Sequence, residues 1–132
     1  MEIRKVLSST VILGFICLVG CSVSTSKLNS QTTNVSDVAQ HFANNGYEGS
    51  FKEEPMVIMI AGMEQAGELK GKGFDIKIVK WRTTNMEDAM RQLNHTYSLM
   101  GRKETKLFGK GYFSLEVVTG DAAAIGRVFE GI

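Results

Sequence analysis

A short apolar run near the start of the chain indicates where the folded domain can begin. Arg4 and Lys5 precede the run, which extends from Val6 to Val19. As a helix, about 14 residues span roughly 21 Å, too short for a hydrocarbon core of about 30 Å. This length and charge order are typical of a signal peptide. A buried core helix and a retained membrane span are the alternatives, and the polar sequence after Gly20-Cys21 disfavours the span.

The end of this run carries a specific motif. Leu18-Val19-Gly20-Cys21 resembles the lipobox of bacterial lipoprotein precursors. The resemblance implies that residues 1–20 are a lipoprotein signal peptide and that Cys21 becomes the lipidated N-terminus, carrying diacylglyceryl and usually an N-acyl chain such as palmitate. Because Ser22 rather than Asp follows, it also implies the outer membrane, facing the periplasm, in a Gram-negative cell. The resemblance covers only the first 21 residues and implies no activity.

Cysteine use then restricts the chemistry of the mature chain. If the resemblance holds, Cys17 lies in the removed peptide and Cys21 carries lipid, which would leave no free thiol. Cysteine catalysis, thiolate metal sites and disulfides are therefore excluded, and stability must come from a hydrophobic core.

The next segment is polar and of low complexity. We expect residues 21–35 to comprise the lipidated Cys21 and a flexible tether, because this stretch has too little apolar surface to offset its chain entropy. Residues 36–132 then form a single domain.

Hydrophobic periodicity predicts an α+β domain: a small antiparallel or mixed sheet of 3–4 strands with helices packed on one face, with a ferredoxin-like layout as an option. The predicted helices begin at Ser36, near Pro55, at Thr84 or Asn85 and at Asp121. The second could instead be a strand over 57–60. The predicted strands are 47–51, 74–81 and a hairpin of 105–108 and 112–118 around Gly109-Lys110-Gly111.

The sequence offers little for catalysis or metal binding. His41 and His95 lie on different predicted helices, and no Gly-x-Ser-x-Gly motif supplies a nucleophile. Acidic pairs at 53–54 and 87–88 mark helix starts, where the helix dipole explains them. We therefore expect no enzyme, no cofactor and no metal site. A Cu(I) site on Met56, Met59 and Met63 is less expected than core packing.

The one hint of a partner is an asymmetry of charge. Between Lys70 and Lys110 there are ten basic and four acidic residues, whereas Asp37 to Glu68 contains six acids and one lysine. The simpler interpretation is that the basic and the acidic stretch complement each other within one domain. The alternative is a partner surface on Trp81, Arg82, Lys77, Lys80 and Lys110, with Trp81 as its anchor. The mature chain has 13 basic and 13 acidic residues, so no overall field attracts nucleic acid.

Together these patterns predict an envelope lipoprotein, held to the membrane through lipid on Cys21. It would act as a non-enzymatic binding or accessory protein for an envelope protein partner, as an assembly factor, an inhibitor or a structural component. The alternative is a small-ligand or lipid-binding periplasmic protein with a cavity lined by Met56, Met59, Met90 and Met100.

Overall fold

The domain is an α+β fold built on a five-stranded antiparallel sheet. The computed structural model describes residues 26–54, 60–102 and 105–132. In these ranges the helices are α1 (Val35–Asn44), α2 (Met86–Leu99) and α3 (Ala122–Glu130). The strands are β1 (Gly49–Glu53), β2 (Met63–Gly71), β3 (Phe74–Trp81), β4 (Lys106–Lys110) and β5 (Phe113–Thr119). Within these ranges a 3-10 turn, Lys27–Asn29, precedes α1.

The sheet has the strand order β1-β2-β3-β5-β4, and every neighbouring pair is antiparallel. The α+β class is therefore confirmed, with five strands rather than three or four. The ferredoxin-like option is wrong, because that layout needs parallel neighbours joined by helical crossovers.

The helices cover both faces of the sheet, not one as expected. Helices α1 and α3 pack on the face that carries Ile76 and Ile78 of β3, here called the α1/α3 face. Helix α2 packs on the opposite face, the α2 face, against Val79 and Trp81. Because β3 carries Ile76 and Ile78 on one side and Val79 and Trp81 on the other, cover on one face alone would leave a hydrophobic surface in water.

Strand β2 was not expected from the sequence. Met-Glu-Gln-Ala-Gly-Glu-Leu-Lys-Gly lacks the β-branched and aromatic residues typical of strands. It nevertheless pairs along its whole length with β3 and, from Gly67 to Gly71, with β1. The helix predicted after Pro55, and its strand alternative over 57–60, fall mainly on residues 55–59, which lie outside the described residues.

The helix starts follow local capping chemistry. Asn85 Oδ1 accepts from the Asp88 backbone N–H at 3.2 Å, and Asp121 Oδ1 accepts from Ala124 at 3.2 Å, which confirms both predicted caps. For α1 the cap is Asn34 rather than Ser36, and the Asn34 backbone N–H donates to Asp37 Oδ2 at 2.8 Å.

The hairpin of β4 and β5 is confirmed, but its turn is one residue shorter than expected and begins two residues later. Lys110 pairs with Phe113, so the loop consists of Gly111 and Tyr112. Gly111 has φ +61°, and a Cβ there would lie 2.1 Å from the carbonyl oxygen of Leu28. Glycine is needed at this position for its backbone conformation and for close approach of the preceding chain.

A row of alternating charges crosses four adjacent strands on the α2 face. The cross-strand partners are Lys52 with Glu68, Glu68 with Lys77, and Lys77 with Glu116. Each directly opposite pair joins unlike charges, an arrangement that stabilises sheets by a few tenths of a kcal/mol to about 1 kcal/mol per pair.

Candidate functional site

The residues expected to form a partner surface do not form one. Trp81 is only 1% exposed and belongs to the core beneath α2. Its indole Nε1 donates to Ser114 Oγ at 2.9 Å. The expectation of a surface anchor is therefore wrong, because the indole fills the gap between β3 and α2 with its one polar atom satisfied.

The four basic residues of that set point in different directions. Lys80 is 3% exposed and its Nζ donates to the Gln31 carbonyl at 2.5 Å, while Lys110 Nζ donates to the Glu130 carbonyl. Lys77 belongs to the charge row on the α2 face. Arg82 is exposed just beyond β3. Lys80 and Lys110 thus stabilise the fold, and the surface that was expected is divided between two faces.

Residues 26–34, here called the N-terminal segment, pack on the domain instead of forming a tether. Leu28 is fully buried in the core of the α1/α3 face. Its carbonyl accepts from the Tyr112 backbone N–H at 2.7 Å. Gln31 Nε2 donates to Tyr112 Oη at 3.0 Å, and Gln65 Oε1 accepts from the Val35 N–H at 3.1 Å. The expected flexible tether is wrong for residues 26–35, while 21–25 lie outside the described residues.

These contacts fix the end of the domain at which the chain enters. Ser26 Oγ donates to the Ile132 carbonyl at 2.5 Å. The Gly111-Tyr112 turn lies at the same end, which we call the Ser26 end. The β2–β3 turn at Lys72-Gly73 and the start of α3 at Asp121 line a cleft at the opposite end, here the Gly73 end.

Two adjoining clefts open at the Ser26 end. The larger, of about 610 Å³, runs between the N-terminal segment and α1 and is lined by hydroxyl and amide side chains with Asp37 and His41. The smaller, of about 460 Å³, is lined by Ser26, Lys27, His41, Lys110, Glu130, Gly131 and Ile132. The smaller cleft collects three basic side chains from three different elements. These three residues are far apart in the sequence, so the grouping could not be predicted without the tertiary fold.

The electrostatics of His41 reflect this grouping. Burial lowers the pKa of His41 below its ordinary value of 6.5, and the positive charge of Lys27 lowers it further. Both effects favour the neutral imidazole. The effect of Lys27 reflects a positive charge close to the His41 imidazole.

A second polar group lies on the α2 face near the Gly73 end. Asp75 is 9% exposed, and its Oδ1 has no hydrogen-bond partner among the described residues. Burial, followed by a hydrogen bond with Glu68, raises the pKa of Asp75 to about 6. Lys70 and Lys77 oppose that shift only in part.

The other buried carboxylate of the α2 face is fully satisfied. Glu116 is 2% exposed and accepts from Tyr97 Oη, Arg102 and Thr105 Oγ1, each at 2.7 Å. Arg102 also stacks on the Tyr97 ring, 3.8 Å from its centroid. This network joins the end of α2 to β5 and has a structural explanation without catalysis.

The remaining sequence candidates are dispersed or lie outside the described residues. Helix α1 carries His41 on one face of the sheet, whereas α2 carries His95 on the other. Among the described residues, no three His, Cys, Asp or Glu side chains are grouped to hold a metal ion. In the same ranges, no helix has the length and hydropathy needed to cross a bilayer.

The cavity expected between Met56, Met59, Met90 and Met100 is not supported by the two of these residues that the structure describes. Cys21, Met56 and Met59 lie outside the described residues. Met100, expected to line that cavity, is largely exposed together with Leu99. In the described part of the chain, none of the five main clefts is lined by Met90 or Met100.

Comparisons of this chain with protein-family models, with curated proteins and with solved structures found no match.

Proposed function

We propose that the protein is an envelope lipoprotein, anchored through lipid on Cys21, whose domain is a non-enzymatic binding or accessory module for an envelope protein partner. In a Gram-negative cell it would lie on the outer membrane and face the periplasm. The observation that carries the proposal is the Leu18-Val19-Gly20-Cys21 motif, followed so closely by a packed segment that starts at Ser26.

The short connection determines how the domain would be presented. Five residue steps separate Cys21 from Ser26, so the two Cα atoms are at most about 17 Å apart. The Ser26 end would then be held close to the bilayer surface. The Gly73 end would point away from the membrane, where a partner could reach it.

Helix α2 supports this orientation of a binding surface. A Cβ at Gly109, one residue before the end of β4, would lie 3.0 Å from the Met86 side chain, so α2 begins near the Ser26 end. Arg102, beyond α2, reaches Glu116 in the middle of β5. The exposed Leu99 and Met100 therefore lie toward the Gly73 end, and they are the most exposed large apolar side chains among the described residues.

A non-enzymatic role is supported by the way the polar groups are used. Glu116 accepts three hydrogen bonds within the fold, Lys80 supports the N-terminal segment, and the sheet separates the two histidines. None of these arrangements pairs a nucleophile with a base.

Intact-mass measurement of the mature protein from bacterial envelopes tests the anchor. We expect a chain that starts at Cys21 with the added mass of acyl chains, and a Cys21→Ser chain without that mass. An unlipidated, unprocessed wild-type chain would refute the anchor.

Crosslinking in intact envelopes, followed by affinity capture, tests the accessory role. Capture uses an antibody against the chain instead of a tag, because Ile132 packs beside Ser26 at the end proposed to face the membrane and the Gly73 end is where a partner would bind. We expect a protein captured in stoichiometric amount and lost with Cys21→Ser. A Leu99→Ser, Met100→Ser chain tests the exposed end of α2, with Glu64→Ser, an exposed position at the start of β2, as a control at the other end. Bound acyl chains in native mass spectra, with no protein partner, would favour the ligand-binding alternative.

A further inference from the structure

The smaller cleft at the Ser26 end has the composition of an anion site. Lys27 comes from the 3-10 turn, His41 from α1 and Lys110 from the end of β4. Glu130 is the only acidic side chain among its lining residues, and Lys110 Nζ donates to the Glu130 backbone carbonyl rather than to its carboxylate. The two lysines are therefore free of salt bridges at this cleft within the described ranges.

The position of the cleft is as informative as its charge. Ser26 itself lines it, and Cys21 precedes Ser26 by five residues in the sequence. A phosphate group at a bilayer surface lies within the reach of about 17 Å that the five residue steps allow. Other cations in this part of the fold are the exposed Arg82 beyond β3 and Arg127 on the last turn of α3.

We propose that this cleft binds the phosphate headgroup of an anionic membrane phospholipid in the bilayer to which the protein is anchored. The proposal rests on the lipid anchor at Cys21. Lys27 and Lys110 supply the charge and N–H donors, and His41 contributes a further donor when it is protonated. Each lysine near an anionic surface contributes about 1 kcal/mol. That is too little for attachment by itself, but it suffices to orient a domain already held by lipid.

His41 gives this proposal a local reporter. Its pKa is lowered by burial and by Lys27, so a bound phosphate would act in the opposite direction and raise it. Charged groups that line the clefts around His41 come from every neighbouring element: Lys27, Asp37, Lys110, Arg127 and Glu130. All of these are present in both bilayers, so a change between bilayers reports the anionic lipid, and the variants below separate a headgroup in the cleft from general surface charge.

The test uses the full lipidated protein in nanodiscs, with histidines labelled for NMR. Discs of phosphatidylcholine alone are compared with discs that also contain phosphatidylglycerol. We expect the pKa of His41 to rise by roughly half a unit or more in the anionic discs. The exposed His95 on α2, on the other face of the sheet, provides the internal reference signal.

Matched variants separate the cleft from general surface charge. Lys27→Gln with Lys110→Gln should abolish the rise, whereas Lys70→Gln with Lys72→Gln, on β2 and the turn after it, should leave it intact. If His41 titrates identically in both discs, or if both pairs of variants behave alike, the proposal is overturned.

Two further measurements keep the causes apart. A rise produced by inorganic phosphate with neutral discs, but not by phosphatidylglycerol, would overturn the lipid source. Intact mass on the same samples reports lipid on Cys21. A lipidated protein with no response of His41 refutes the headgroup site alone, whereas a missing lipid refutes the anchor.

Discussion

Replacing Asp75 with asparagine is expected to make the domain more stable at neutral pH. The carboxyl group is 9% exposed, and its Oδ1 has no partner among the described residues. An ordinary Asp titrates near 3.8, whereas burial and the hydrogen bond with Glu68 raise the pKa of Asp75 to about 6. At pH 7 the fold therefore holds a carboxylate where the neutral acid is preferred.

The size of the expected stabilisation follows from the difference between the ordinary and the raised pKa of Asp75. A change from 3.8 to about 6 corresponds to roughly 3 kcal/mol at pH 7. Local relaxation and the titration shared with Glu68 reduce the part that one substitution recovers. We expect Asp75→Asn to raise the free energy of unfolding by about 1–2 kcal/mol, because an amide keeps the shape and can donate to Glu68 without a buried charge.

The pH dependence has a definite sign. Because the pKa of Asp75 is raised in the fold, the folded state binds more protons than the unfolded chain between about pH 4 and pH 6. The stability that this group contributes is fully present below about pH 4 and is lost as the pH rises through about 6. The variant has no proton to lose and should be less sensitive to pH in this window.

Urea unfolding of a chain that starts at Ser22, at several pH values from 4 to 8, measures both effects. Glu53→Gln, an exposed carboxyl on β1, is the matched control and should change stability by less than about 0.5 kcal/mol. The reasoning fails if Asp75→Asn is less stable than the wild type at pH 7, or if the difference between them does not shrink toward pH 4.

Three other substitutions test the packing. Gly126→Ala should lower stability by about 1–3 kcal/mol in thermal unfolding, because its Cβ would lie 2.5 Å from the Phe108 ring; an unchanged midpoint would contradict that contact. Arg102→Met should cost about 2 kcal/mol in urea unfolding, since it removes the only salt-bridge partner of the buried Glu116 among the described residues. Leu28→Ala should cost about 2–4 kcal/mol and increase amide exchange in the N-terminal segment; unchanged exchange would show that the segment is held otherwise.

Much of the fold could be predicted because local and long-range signals agree. Strand β3, helix α2 with its Asn85 cap, and the β4–β5 hairpin each combine a clear period with a start or stop residue. Strand β2 could not be predicted, because Ala66 and Gly67 give it little strand propensity and its pairing with β1 and β3 determines its conformation.

The candidate site was harder to predict, because it depends on contacts between distant residues. The N-terminal segment has few apolar residues, yet Leu28 alone places its backbone against the Tyr112 N–H. That contact brings Lys27 into the same cleft as Lys110. Trp81 shows the opposite case: an aromatic beside an arginine is typical of binding surfaces, but here the indole finds Ser114 inside the fold.

The alternating charges of the α2 face also restrict how the strands can align. A slip of one residue would exchange the two faces of a strand, but a slip of two preserves them. Moving β3 by two residues along β2 would place Lys70 opposite Lys77 in one direction and Glu68 opposite Asp75 in the other, each a repulsive pair. The charges thus favour the observed alignment of β3 on β2. Backbone hydrogen bonds and the orientation of the side chains would by themselves also permit the two alignments that are shifted by two residues.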